Sequence, residues 1–347
     1  MPGKIKWGVI GSGGIARRRT IPEGIVPARN AELVAVFDII SKANAEVAEQ
    51  FSARAAGSID ELLAAGIDAV YVATPANSHY EQVLECAQDG KHVLCEKPLG
   101  MTVREAEEII AACGRGGVQL GCGFMMRFHS QHQKALKLIQ QGKLGQPVYG
   151  RAQLSCWYPP MEGSWRQDPT QGGGGSLIDM GGHCIDLLEM FFGPVKKVSC
   201  FTSRTVHKYA SEDSAVAMLF FANGALATVD AFFCIPDESS KNILEIYGSR
   251  GSILAKGTIS QASAGEMVAF FDAGDKGYEA QQARAAGQGL EITPEPVNIY
   301  RGEIEEFSQA LLDGRPTTIS GKLGLRSQKI LSACYESAKT GKAVFDF

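Results

Sequence analysis

The chain has 347 residues, 45% of them hydrophobic and 21% charged, with a formal net charge of −4. That length supports two domains with real cores, and the composition is ordinary for a globular protein. The mild acidity gives no electrostatic footprint for a nucleic-acid or polyanion partner, and the isolated Arg17-Arg18-Arg19 run is too short to supply one.

Ile5 to Ile10 reads as a first strand. It runs into Gly11-Ser12-Gly13-Gly14-Ile15-Ala16, a G-x-G-x-x-A pattern. Gly11 can make the tight turn, Gly13 has no side chain to block a pyrophosphate, and Ala16 lets a helix pack closely on the sheet. The start of that helix is expected to offer unpaired N–H groups to phosphates. A second strand, Leu33 to Phe37, ends in Asp38, about 20 residues beyond the glycines, where the dinucleotide fingerprint wants a ribose-hydroxyl acceptor. A carboxylate there repels a 2′-phosphate, and Lys42 is the only nearby cation, so NAD is favoured over NADP.

Helices are expected over 42–51 and 59–65, the latter capped by Ser58 or Asp60. Ala69 to Val72 is a buried strand ending at Ala73-Thr74-Pro75, and a helix follows over 78–89. His92 to Cys95 is a second short apolar run, cut off by Glu96-Lys97-Pro98. A lysine at the carboxyl end of a parallel strand lies where open α/β sheets bind ligands. Two readings compete: Lys97 transfers protons beside a bound cofactor, or it is a surface lysine in a loop. The tripeptide alone favours the second, since lysines are mostly exposed. Thr102 starts a helix with Glu105 at the capping-box position, and 118–122 is a further strand. These repeated strand–helix units predict a doubly wound parallel sheet over residues 1–123.

The pattern changes over 124–347. An amphipathic helix is expected over 130–141. Strands that read as antiparallel follow over 148–157, 195–205, 214–221, 225–233, 243–247 and 252–255, with Asn223-Gly224 and Ser249-Arg250-Gly251 as hairpin turns. The expected architecture is an α/β chain whose second domain carries a large open, mainly antiparallel sheet. The exposed face of such a sheet needs a cover, and self-association is a common solution. Residues 275–290, polar and rich in Ala, Gly and Gln, read as a mobile loop, with a short helix as the alternative. Helices over 302–313 and 322–339 and a short strand over 343–347 close the chain.

The second informative stretch is Trp165-Arg166-Gln167-Asp168-Pro169, then Gly172 to Gly175, Asp179, His183 and Asp186. Four consecutive glycines allow a close approach of backbone to something, or flexing. On a helix, Asp179, His183 and Asp186 share one face. An Asp and a His projecting together offer acid–base chemistry or hydroxyl binding. The competing reading is that Asp179 caps the helix and His183 packs in a core. No metal is expected, because no third ligand stands at a suggestive spacing. The nine cysteines are scattered without a CxxC pair, which fits reduced thiols in a cytoplasmic protein. The N-terminus enters a strand with no room for a signal peptide, no apolar run reaches membrane-spanning length, and no membrane partner is expected.

Four motifs in order carry a family resemblance: Gly11 to Ala16, Ala73-Thr74-Pro75-Ala76-Asn77-Ser78-His79, Lys91 to Pro98, and the glycine run leading to Asp179 and His183. Over essentially its whole length the chain resembles the Gfo/Idh/MocA family of glucose–fructose oxidoreductase, inositol dehydrogenase and the rhizopine-catabolism oxidoreductases. The resemblance implies an N-terminal Rossmann domain, a C-terminal α/β domain with a large open sheet, and homodimers or homotetramers formed through that sheet. It implies that Lys97 is the acid–base residue and that Asp179 and His183 hold the reacting hydroxyl or share its proton. Thr74, Pro75, Asn77, His79 and Glu96 would line the nicotinamide side. Trp165 and Arg166 look like the pair that reaches the cofactor in 1,5-anhydrofructose reductases of the family, and Tyr300, before the penultimate helix, would do the same. That subgroup uses NADP, but its phosphate-binding residues after the second strand are absent here.

The implied reaction is hydride transfer between a nicotinamide and a secondary hydroxyl or ketone of a sugar, sugar derivative or cyclitol. The alternatives are an NAD-retaining glycosidase that oxidises transiently, and a dinucleotide-binding regulator without catalysis. Arg127 and the loops 158–165, 232–240 and 275–290 are the expected sources of specificity. Arg127 serves equally well as a domain-interface anchor.

Overall fold

The computed structural model describes residues 3–272 and 288–347. Of the polar stretch 275–290, all but the last three residues lie outside the described residues. Two sheets organise the chain. The first contains β1 (Ile5–Ile10), β2 (Ala31–Phe37), β3 (Arg54–Ala55), β4 (Ala69–Val72), β5 (His92–Cys95) and β6 (Leu120–Cys122), in the order β3-β2-β1-β4-β5-β6. Every pairing in it is parallel. The direction of winding reverses between β1 and β4, so their carboxyl ends frame the crevice where such sheets take ligands. β4 and β5 are buried along most of their length, which is why they read as unbroken apolar runs.

The glycine turn is enforced twice. Gly11 has φ +82, and a Cβ on it would meet the Ala73 backbone at 2.8 Å. The segment that follows departs from the expected regular helix. Ser12–Ile25 winds as a wider π-type helix, interrupted by non-helical backbone at Gly14 and containing Pro22. Such bulged helices recur at functional sites.

The second sheet comprises, among the described residues, β7 (Pro147–Ser155), β8 (Val195–Ser203), β9 (Ser214–Phe221), β10 (Leu226–Phe232), β11 (Ile243–Gly248), β12 (Gly251–Lys256), β13 (Glu266–Phe271), β14 (Leu290–Glu291) and β15 (Val344–Phe345). Their order is β14-β13-β12-β11-β7-β10-β9-β8-β15. The sheet is mainly antiparallel, as expected, with one parallel pairing at its centre, between β7 and β10. The β8-β9-β10 meander places β10 beside β7 and pointing the same way. β13 and β14 were not expected.

One face of this sheet is sealed by helices Gly182–Phe192 and Gly321–Thr340. Gly150 on β7 lets Phe192 and Leu188 close onto it, and β8 packs beneath the last helix. The other face is open and carries an apolar patch: Phe201, Met218, Phe220 and Leu226 are exposed on β8, β9 and β10. No helix among the described residues is long and apolar enough to cross a membrane.

The chain returns to its first sheet before ending. Helix Ile299–Leu312 buries Ile304 and Phe307 in the same core as Trp7, Val9 and Tyr71. Trp7 packs on Phe307 at 5.6 Å and donates from Nε1 to Ser308 Oγ. Ile319 O then accepts from Cys122 N–H at the edge of β6. Gly121 makes this closure possible, since a Cβ there would lie 2.8 Å from the Phe307 ring and 3.0 Å from Leu94. Gly121→Ala is therefore expected to cost about 1–3 kcal/mol, seen as a lower urea midpoint at unchanged slope. An unaltered midpoint would contradict this packing.

Candidate active site

A cleft of about 590 Å³ opens at the carboxyl rim of the first sheet, facing the second domain. Gly14, Ile15, Ala73, Thr74, Glu96 and Lys97 line one side; Trp165, Arg166, Asp179, His183 and Tyr300 complete it. Sequence reading therefore brought together two distant stretches that the fold does place face to face.

Lys97 sits just past β5 with little of its side chain exposed. Its Nζ donates to Asp179 Oδ1 at 2.9 Å and to the Asp179 carbonyl at 2.6 Å. Arg166 Nε donates to the same Oδ1 at 3.0 Å. Burial works to raise the Asp179 carboxyl pKa, but the Arg166 and Lys97 cations override it and hold the group far below the usual carboxylate range. The Arg166 guanidinium lies over the Trp165 ring at 4.2 Å, which orients it.

Asp179 does not cap a helix. It lies within a π-type turn, Leu177–Gly181, which runs directly into helix Gly182–Phe192 carrying His183 and Asp186. His183 lines the cleft, and its Nδ1 is enclosed without a partner. Burial, reinforced by the Lys97 cation, pushes its pKa down to about 3.

Glu96, also on the cleft wall, is held by a tyrosine. Its Oε1 accepts from Tyr71 Oη at 2.5 Å, and Tyr71 in turn accepts from Thr20 at 2.9 Å. Burial raises the Glu96 pKa.

Three expectations need correction. Arg127 does not reach the cleft wall; its Nε and Nη2 grip the Asp186 carboxylate at 2.8 Å, so it anchors the chain leaving β6 to the helix that carries His183. His79 is buried behind the rim, its ring nitrogens 2.8 Å from the Pro98 carbonyl and 2.9 Å from that of Thr74. It ties the β4 and β5 ends together and does not line the cleft. Tyr300 lies inside the first turn of helix Ile299–Leu312, whose cap is Asn298, and its enclosed hydroxyl has no partner. Of the other fingerprint residues, Gly11 and Ser12 are buried in the turn, Pro75 begins the short turn Ala76–Ser78, and Asn77 is exposed on it.

The residues at the rim fit a dinucleotide. Nothing lies within 4 Å of where a Gly14 Cβ would be, leaving the turn open to a close approach. Asp38 ends β2 with Oδ2 accepting from Gly13 N–H and Oδ1 from Ile40 N–H, both at 2.9 Å. Those bonds hold its carboxylate beside the turn. Sequence reading missed Met125, Met126, Leu154, Cys156 and Asn242 on the cleft wall, and it set aside Arg18, which reaches the rim. Only Arg18 had a visible signal, as part of the arginine run.

Residues 5–124 match the model of an oxidoreductase family with an NAD-binding Rossmann fold, and residues 132–254 match the GFO/IDH/MocA C-terminal domain. The chain is 29% identical over 343 residues to a 1,5-anhydro-D-fructose reductase of Ensifer adhaerens, covering 97% of each. It is 28% identical over 340 residues to D-xylose 1-dehydrogenase (NADP(+)) 2 of Haloferax volcanii, covering 97% of this chain and 98% of that one. The aldose-aldose oxidoreductase structure from Caulobacter crescentus superposes with a TM-score of 0.88 at 24% identity, over 99% of this chain and 100% of that one.

The low pKa of His183 sets an expectation. The neutral imidazole predominates from about pH 5 upward, so an NMR titration of the labelled ring should show no inflection for His183 across roughly pH 5–8. An inflection near the unperturbed value of about 6.5 would contradict the buried, cation-flanked setting.

Proposed function

The chain belongs to the GFO/IDH/MocA family of NAD(P)-dependent oxidoreductases, and we propose that it transfers a hydride between the nicotinamide and a secondary hydroxyl or ketone of a sugar, sugar derivative or cyclitol. One observation carries this reading: Lys97, at the cofactor rim, has its ammonium held by Asp179 from the opposite wall, with His183 in the same cleft. The sugar-acting names of the two curated relatives point to the same substrate class.

Bound at the glycine turn, the dinucleotide supplies the hydride acceptor or donor. The protein supplies the proton. Two of the Lys97 N–H groups are committed to Asp179, leaving the third position of Nζ for the substrate oxygen. As an ammonium, Lys97 gives that proton to a ketone oxygen. As an amine, it takes the hydroxyl proton with its lone pair while the two bonds to Asp179 persist. Neutral His183 orients the hydroxyl as a hydrogen-bond partner, and Trp165 and Arg166 close the wall. We assign the proton to Lys97 because burial and the neighbouring cations disfavour protonated His183.

Asp38 supports NAD as the preferred cofactor. Its carboxylate stands where a 2′-phosphate would bring more negative charge, although the Haloferax relative is named for NADP(+). We take residues 1–123 as the cofactor domain and 124–347 as the substrate domain. The apolar open face of the second sheet, around Phe201, Met218 and Phe220, supports a homodimer or homotetramer assembled through it. The free thiols among the described residues suit a cytoplasmic setting.

The test is a panel of sugars, cyclitols and glycosides, with NADH and NADPH absorbance followed in parallel. Stoichiometric NADH is expected with at least one polyol or sugar, and glycoside hydrolysis without NADH would overturn the net redox reaction. Lys97→Met should lower kcat by roughly 10²–10⁴-fold while leaving NAD affinity nearly intact. Turnover near wild type in that variant would remove Lys97 from the proton-transfer role.

A further inference from the structure

The four-glycine run ahead of Asp179 lies outside the cleft lining except through its neighbours, and its contacts explain its composition. Gly172 packs under Trp165, with a would-be Cβ 3.1 Å from the Trp165 carbonyl. A Cβ on Gly174 would overlap the Tyr335 hydroxyl, and one on Gly175 would overlap the Glu212 carbonyl. Gly173 has φ +80, so each glycine of the run has its own reason, and at Gly174 and Gly175 the reason is a clamp that closes onto the backbone.

The clamp is built from two elements of the second domain. Glu212 lies just ahead of β9, and Tyr335 on helix Gly321–Thr340. Both Glu212 carboxylate oxygens accept from Gly175 N–H at 2.9 Å, and Oε1 also accepts from Leu177 N–H at 3.0 Å. Tyr335 Oη donates to the same Oε1 at 2.9 Å. The Glu212 carbonyl accepts from Ser176 N–H at 3.1 Å. The grip then passes to the site, because Asp179 N–H donates to the Gly175 carbonyl at 3.1 Å. The loop that presents Glu212 is itself fixed: the adjacent Asp213 carboxylate accepts the backbone N–H groups of Thr205, Val206 and His207. Glu212 touches neither the cleft nor Lys97.

We propose that Glu212, braced by Tyr335, is a positioning residue that fixes the Gly175–Leu177 backbone so that the Asp179 carboxylate meets Lys97 and Arg166. This rests on the assignment of Lys97 as the proton-transfer group. A carboxylate is needed in the clamp because donors converge on it: two peptide N–H groups and a phenol. An amide in its place turns an NH₂ toward one of those donors. The backbone then relaxes, and a small displacement of Asp179 moves the proton-bearing nitrogen out of line.

The test is a double-mutant cycle on kcat with Asp179→Asn, Glu212→Gln and the combination, alongside KM, NAD affinity and melting temperature for each protein. Glu212→Gln should lower kcat by about ten- to a hundredfold, with KM and NAD affinity close to wild type. Adding Glu212→Gln to Asp179→Asn should cost less than about twofold more, because the clamp acts through a carboxylate already lost. Losses that multiply, or an unchanged kcat in folded Glu212→Gln, would overturn the proposal. If Glu212→Gln does not fold, the same cycle with Tyr335→Phe, which removes one donor only, decides by the same criteria. Retained turnover in Lys97→Met would instead remove the reading beneath it, whatever the cycle shows.

Discussion

Inside the cleft, the two halves of this molecule meet at one carboxylate. Asp179 Oδ1 takes a hydrogen bond from Lys97 in the first domain and another from Arg166 in the second. Buried charges persist only when paired and hydrogen-bonded, and removing one partner leaves an uncompensated charge behind. Two cations against one anion also leave the cluster with an excess positive charge. That excess has two consequences. It disfavours protonation of His183 beside it, and it suits a wall against which negative charge develops on an oxygen atom.

The contact depends on how the sheets are joined. β5 delivers Lys97 to the rim, and the π-type turn with the following helix delivers Asp179 and His183 from the other side. A second ion pair works in parallel: Arg127, just after β6, grips Asp186 farther along that helix. Helix Ile299–Leu312 adds an apolar link, carrying Phe307 into the first core and Tyr300 to the cleft. Its return to the first sheet also explains why the glycine at position 121 has no room for a side chain.

Much of this was legible from residue patterns, for physical reasons that differ by element. β4, β5 and β9 were read with their observed bounds, because short buried runs and strict alternation are strong signals in short windows. Thr102 caps as expected, and of the two candidates Ser58 and Asp60 it is Ser58 that caps the earlier helix, each accepting the N–H three residues on. The π-type winding of Ser12–Ile25 left no mark, because periodicity does not distinguish it from an α-helix. The parallel pairing of β7 with β10 was hidden because strand direction is a property of the meander and not of either strand. β13 lies behind a Gly- and Ser-rich stretch that reads as loop. His79 and Arg127 had the chemistry of site residues, and only tertiary contacts show them satisfied elsewhere. Glu212 carried no signal at all, since a lone glutamate ahead of a strand looks like any surface acid.

Three carboxylates near the site are each committed to a different partner, and the allocation shapes the chemistry. Glu96 is the covalent neighbour of Lys97, yet it is held by Tyr71. Asp186 is taken by Arg127. Only Asp179 faces the Lys97 ammonium. The counter-ion of Lys97 therefore comes from the other domain and not from the motif in which the lysine resides. Had Glu96 filled that role, Lys97 would be oriented by the first domain alone. With Asp179 in that role, the direction of the free Nζ position is set only when the second domain's glycine-bordered turn is seated against the first. The same arrangement places both acceptors for Lys97 on one residue, its carboxylate and its carbonyl. A single backbone segment thus governs where the Lys97 Nζ points, and the geometry of the cleft depends on whatever holds that segment still.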